Sequence, residues 1–131
     1  MKRLPDAEFE IMKIVWDSEP PITTATIMET LGQEKNWKPQ TVITLMLRLV
    51  EHGFLRTEKT GRERSYWPLV AREEYLEFET GNFVTFYHDN SFTSLVTAFL
   101  GGKQISEDEV KELRQLVNSL ARKNRDKEDN K

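Results

Sequence analysis

The chain has 131 residues, of which 37% are hydrophobic and 31% charged, with a net charge of −3 and a mean hydropathy of −0.63. That length supports one domain, or a small domain with a helical appendage, and not a multi-domain enzyme. There is no cysteine, so disulfides and thiolate metal sites are excluded, and no apolar run approaches the roughly 20 residues that cross a bilayer.

The N-terminal run Met1-Lys2-Arg3-Leu4-Pro5-Asp6 lacks the apolar stretch of a signal peptide, so a cytoplasmic location without direct membrane binding is expected. Pro5 and Asp6 then open an amphipathic helix in which Phe9, Met12, Val15 and Trp16 recur at helical spacing. Asp6, Glu8 and Glu10 lie in its first turn, where the helix dipole favours acids. Ser18-Glu19-Pro20-Pro21 stops it. Ile22 can add one short strand before Thr23 or Thr24 caps a second, short helix that carries Ile27, Met28 and Leu31 and ends at Gly32.

After a polar turn, Lys38 to Gly53 forms one bounded helix. Pro39 suits its first position, where no N–H is needed, and Gly53 suits the left-handed residue that ends it. On a 3.6-residue wheel Val42, Leu45, Met46 and Leu49 share one side. Gln40, Thr41, Thr44, Leu47, Arg48 and Glu51 lie opposite, with Ile43 and Val50 at the border. The first set can bury. The second carries an amide, two hydroxyls, a guanidinium and a leucine, groups that can bond base edges or phosphates and touch a thymine methyl.

Past Gly53 the period changes from helical to alternating. Phe54 to Lys59 and Arg64 to Leu69 flank the polar tip Thr60-Gly61-Arg62-Glu63, which predicts a hairpin. Three helices followed by a basic hairpin give a mainly α fold with a small β-hairpin wing, the winged variant of helix-turn-helix. Residues 1–70 therefore read as a winged-helix DNA-binding domain.

From Ala71 helices resume, with Tyr75, Phe78, Phe83, Phe86 and Tyr87 as apolar anchors and Gly81 as a kink point. Asn90 or Ser91 caps a short helix over Phe92 to Leu100, which Gly101-Gly102 terminates. Ser106 to Glu109 matches a capping box, and Val110, Leu113, Val117 and Leu120 follow as an apolar stripe. Residues 71–131 thus read as a helical dimerisation module, with contacts expected from Tyr75, Phe78, Phe92, Leu95, Val110, Leu113, Val117 and Leu120. The polar stretch Arg122 to Lys131 is expected to fray.

Charge is unevenly placed. Residues 35–64 hold seven lysines and arginines against three glutamates, whereas residues 1–34 hold three basic against seven acidic residues. A basic zone around the central helix supports DNA despite the acidic total. Gln40, Thr44 and Leu47 are the expected base readers; Lys38, Thr41, Arg48, Arg62 and Arg64 are the expected phosphate contacts. Arg48 pairs equally well with Glu51 or Glu58, Arg62 and Arg64 equally fit solubilising loop charges, and Ile43 reads as core border. Trp37 and Trp67 read as packing residues. With only His52 and His88, no cysteine and no glycine-rich phosphate loop, there is no catalytic constellation, no metal set and no cofactor site to nominate.

The run Asp6-Ala7-Glu8-Phe9-Glu10-Ile11-Met12 with Val15-Trp16, then Trp37-Lys38-Pro39-Gln40-Thr41-Val42 through Arg48-Leu49, Gly53-Phe54-Leu55 with the hairpin into Tyr66, Ser94-Leu95-Val96, and Glu109 to Leu116 together resemble the penicillinase-repressor family (BlaI/MecI/CopY). The resemblance spans nearly the whole chain. It implies a homodimeric repressor on an inverted-repeat operator in double-stranded DNA, for genes of the β-lactam-resistance type, relieved when a membrane-bound sensor protease cuts the C-terminal module. In the β-lactam-responsive members that cut falls at an Asn-Phe bond. The matching bond here is Ala98–Phe99, and the asparagine is absent. The cysteine cluster of copper-responsive members is absent too, which excludes thiolate copper sensing. Family members often have a basic residue where Ile43 stands, so a different operator is expected. The competing expectation is a winged-helix protein-interaction module without sequence-specific DNA binding, supported by the acidic total and by Leu47.

Overall fold

The structure is a computed structural model that describes residues 1–129. Its elements run α1 (Asp6–Trp16), α2 (Thr24–Ile27) continuing into a π-helical turn (Met28–Gly32), α3 (Pro39–Glu51), β1 (Leu55–Thr60), β2 (Glu63–Pro68), α4 (Arg72–His88), α5 (Phe92–Leu100) and α6 (Glu107–Asp129). The chain forms two compact units, Met1–Phe83 and Val84–Lys131.

In the first unit α1, α2 and α3 enclose a core to which the hairpin adds a lid. Ile11, Met12, Val15, Ile27, Val42, Met46 and Leu49 are all at most 1% exposed, as their helical spacing requires. α3 ends as anticipated: Gly53 has φ 83°, its N–H donates to Val50 O, and Phe54 N–H donates to Leu49 O. Those two bonds satisfy the last carbonyls and turn Phe54 into the core. β1 and β2 pair antiparallel from Leu55↔Pro68 to Thr60↔Glu63 around a Gly61-Arg62 turn, with Gly61 at φ 66° supplying the positive φ at the first central position. Ile22 bridges to Tyr66 through two backbone bonds of 2.9 and 2.8 Å, the short strand expected there. This is the mainly α, winged-hairpin architecture the sequence predicts.

The first unit extends past the hairpin and takes in most of α4. Tyr75 is 3% exposed, accepts a hydrogen bond from Leu4 N–H at 2.9 Å, and has the rings of Phe9, Trp16, Phe54 and Phe78 within 5.6–6.3 Å. Phe78 packs on the same core. Tyr75 and Phe78, expected from sequence as dimer contacts, are here packed within the first unit, Tyr75 in its core and Phe78 half-buried against it. The reason is physical: the aromatic faces of α1 leave a gap that neither α3 nor the hairpin fills. Trp16 Nε1–H, donating to Val70 O at 2.9 Å, steers the chain into it. Gly81 lies inside a continuous α4.

The second unit is a helical layer without a sealed interior. No side chain from Val84 to Asp129 is buried. α5 is capped by Ser91 Oγ, which accepts Ser94 N–H at 3.1 Å, and ends at Gly101 with φ 42°. α6 runs helical to Asp129; within the stretch expected to fray, Arg122 and Asp126, like Arg125 and Asp129, set opposite charges one turn apart. Asn130 and Lys131 of that expected tail lie outside the described residues.

Candidate nucleic-acid interface

α3 is held by its buried stripe and by one polar contact at its C-terminal end. Glu8, in the first turn of α1, is 2% exposed, and its Oε1 lies 3.3 Å from Nδ1 of His52, the residue that caps α3. A carboxylate at the start of α1 lies beside an imidazole at the end of α3, without hydrogen-bond geometry between the two atoms.

With that face fixed, the opposite face is free. Gln40, Thr41, Thr44, Leu47, Arg48 and Glu51 are all exposed, Leu47 by 40%, and a shallow trough runs along Gln40, Thr41, Thr44 and Arg48. The six residues assigned to the outer face stand together on it. Two details refine their roles. Thr41 N–H is bonded to Lys38 O at 3.0 Å, so Thr41 has its hydroxyl, not its amide, for a phosphate. Thr44 Oγ1 donates to Gln40 O at 2.9 Å. Glu58 holds Arg56 at 2.7 Å, which leaves Arg48 without that partner, and among the described residues Arg48 has no ion pair.

The hairpin adds a second cationic element. Register places Lys59 directly opposite Arg64, and strand alternation puts both on the face that carries Leu55, Thr57 and Tyr66 toward the core, one step farther out at the tip. Like charges facing across a ladder repel. Among the described residues neither has an acidic partner, and Arg62 sits in the adjoining turn. Lys59 was not singled out from sequence, although the alternation counted back from Arg64 across a two-residue turn identifies it. On the other face Arg56 stacks on Trp67 with 4.1 Å from guanidinium to ring centroid, which makes Trp67 a packing residue of the wing. Trp37 packs partly on the core.

The remaining nominated residues lie in the second unit. Leu95, Val110 and Leu113 are half-buried, whereas Phe92, Val117 and Leu120 are exposed by 57%, 46% and 50%. Ala98 and Phe99 are exposed on α5, Phe99 by 73%. A cleft of about 570 Å³ between α5 and α6 is lined by Phe92, Val96, Phe99, Leu100, Ile105, Leu113 and Leu116. No helix among the described residues is long and apolar enough to cross a membrane.

A profile of the penicillinase repressor family matches residues 4–119. The chain is 34% identical over 131 residues to a penicillinase repressor of Bacillus licheniformis, covering 98% of this chain and all of that one. It is 32% identical over 112 residues to the methicillin resistance regulatory protein MecI of Staphylococcus aureus strain N315, covering 86% of this chain and 90% of MecI. Among solved structures it is similar to the DNA binding domain of the repressor BlaI, with 35% identity and a TM-score of 0.49 over 57% of this chain and 94% of that one. It is also similar to the monomeric form of Bacillus licheniformis BlaI in complex with the blaP half-operator, with 34% identity and a TM-score of 0.47 over 56% of this chain and 89% of that one. The chain belongs to the penicillinase repressor family.

Proposed function

We propose that this chain is a sequence-specific DNA-binding transcriptional repressor that works as a homodimer in the cytoplasm. The observation that carries the reading is the outer face of α3, backed by its buried stripe, together with Lys59, Arg62 and Arg64 of the hairpin, which have no ion pair among the described residues. In this reading α3 enters the major groove. Gln40, Thr44 and Leu47 face the bases, while Lys38, Thr41, Arg48, Lys59, Arg62 and Arg64 hold phosphates. Two copies, joined through the apolar surfaces of α5 and α6, place two recognition helices in successive major grooves about one helical turn apart, on an inverted repeat. Occupying that repeat excludes polymerase from the promoter, and no catalytic step is involved.

Control would act on the module that joins the copies. Ala98–Phe99 is exposed near the end of α5, and a cut there would separate most of α5 from α6. A protease that requires asparagine before the bond is not expected to make that cut, so the sensor protease implied here accepts alanine.

Selection from a randomised duplex pool at near-physiological salt, followed by stoichiometry on the winning sequence, tests the reading. Enrichment of an inverted repeat that binds two chains is the expected result. Enrichment of nothing overturns it, and the outer face of residues 38–51 then belongs to a protein partner.

A further inference from the structure

The centre of the α3 outer face has few hydrogen-bonding groups to offer. Gln40, Ile43, Thr44 and Leu47 stand at positions i, i+3, i+4 and i+7, which form one contiguous patch on a helix. Thr44 has a single hydroxyl proton, and that proton is engaged by Gln40 O at 2.9 Å; what remains for a ligand is its methyl group and the oxygen lone pairs. Leu47 is 40% exposed. Ile43 is half-buried, at the border expected for it between the buried stripe and the outer face, so part of its side chain stays on the outer side beside Thr44 and Leu47. Three of the four residues thus present alkyl surface, and only Gln40 presents a free amide. Charge is confined to the rim, where Lys38 and Arg48 match the phosphates on either side of a groove.

In the major groove only one unmodified base carries an apolar group at its edge, thymine with its C5 methyl. An alkyl patch set against the amino or carbonyl edge of another pair desolvates polar groups without replacing their bonds, which is unfavourable. Set against a methyl it buries apolar area. We propose that Ile43, Thr44 and Leu47 form a strip that reads pyrimidine C5 methyl groups, with Ile43 as a specificity residue, and that Gln40 bonds an adjacent adenine through N6 and N7. The proposal rests on the repressor reading and adds which chemical group is read.

The test uses the full chain and the duplex recovered by selection. Each thymine is replaced in turn by deoxyuridine, which removes one methyl and leaves the hydrogen-bonding edge and the phosphates intact. Binding should weaken by about fourfold at each thymine under the strip and be unchanged elsewhere. Leu47→Ala and Ile43→Ala, checked for unchanged helicity, should bind the thymine and uridine duplexes alike. Exchanging the same pair for cytosine·guanine or 5-methylcytosine·guanine separates the methyl from the edge; the methylated pair should bind more tightly. If every uridine duplex binds as well as its thymine parent while a scrambled duplex binds poorly, the methyl strip is wrong and the repressor reading stands. If no duplex is preferred over a scrambled one, both are wrong.

Discussion

Arg62 and Gln40 lie on different elements and do different work. Arg62, at the exposed hairpin turn, has no base edge within its expected reach. Arg62→Ala should therefore weaken all duplexes alike and lower the salt dependence of binding by roughly one unit of slope. Gln40→Ala should instead change which sequence is preferred. Equal effects on every sequence, measured by competition at several salt concentrations, would remove that division of labour. The residue scale is also where sequence reading was least complete. The polar and apolar sides of α3 follow from a wheel, but the engaged hydroxyl of Thr44 depends on a rotamer, and the Lys59–Arg64 opposition depends on register. Titration offers a second check. Burial raises the Tyr66 phenol above its ordinary value of 10.0, partly offset by Arg64 and Thr57, and burial likewise raises Tyr75, against the bond from Leu4 N–H. Because the folded state holds these protons longer than the unfolded one, their contribution to stability is full below about pH 10 and is lost as pH rises through the folded values. Denaturation midpoints should fall above pH 10, and Tyr66→Phe should reduce that slope; an unchanged slope would refute the assignment.

At the scale of elements, α4 joins the N-terminal core through Tyr75, with Phe78 packed beside it. Tyr75→Phe keeps the ring packing but leaves Leu4 N–H buried without an acceptor, and should cost about 1–3 kcal/mol in denaturant unfolding, with sequence preference unchanged. A loss of preference would mean that α4 also positions α3. The elements themselves were legible wherever an apolar stripe, a cap and a stop agree, as in α1, α3 and the hairpin. In α4 the aromatics Tyr75, Phe78, Phe83 and Phe86 fall on one side by spacing, but spacing does not say which of them enter a core; only Tyr75 and Phe78 do, beside Phe9 and Trp16. The last two turns of α6, past Leu120, are a different case: their charged residues carry no hydrophobic period, and support there comes from helix propensity and charges one turn apart.

For the whole molecule, the decisive property is the second unit's lack of a buried side chain. Phe92, Phe99, Leu116, Val117 and Leu120 are all exposed there, and exposed apolar side chains grouped on one element pair mark an interaction surface. We propose that a second copy covers it. Leu116→Asp with Leu120→Asp, both at exposed positions, should give a monomer by sedimentation without unfolding the first unit, and should weaken binding to an inverted repeat by roughly 100-fold or more through loss of bivalency. A dimer that persists in this variant would place the interface elsewhere. The most direct measurement is the affinity of the full chain for its selected inverted repeat, set against a scrambled duplex of equal length and composition across a salt series. The account predicts two chains per duplex and a preference of at least about 1,000-fold at physiological salt, growing clearer as salt suppresses the scrambled complex. Equal affinity for both duplexes at every salt concentration would contradict it.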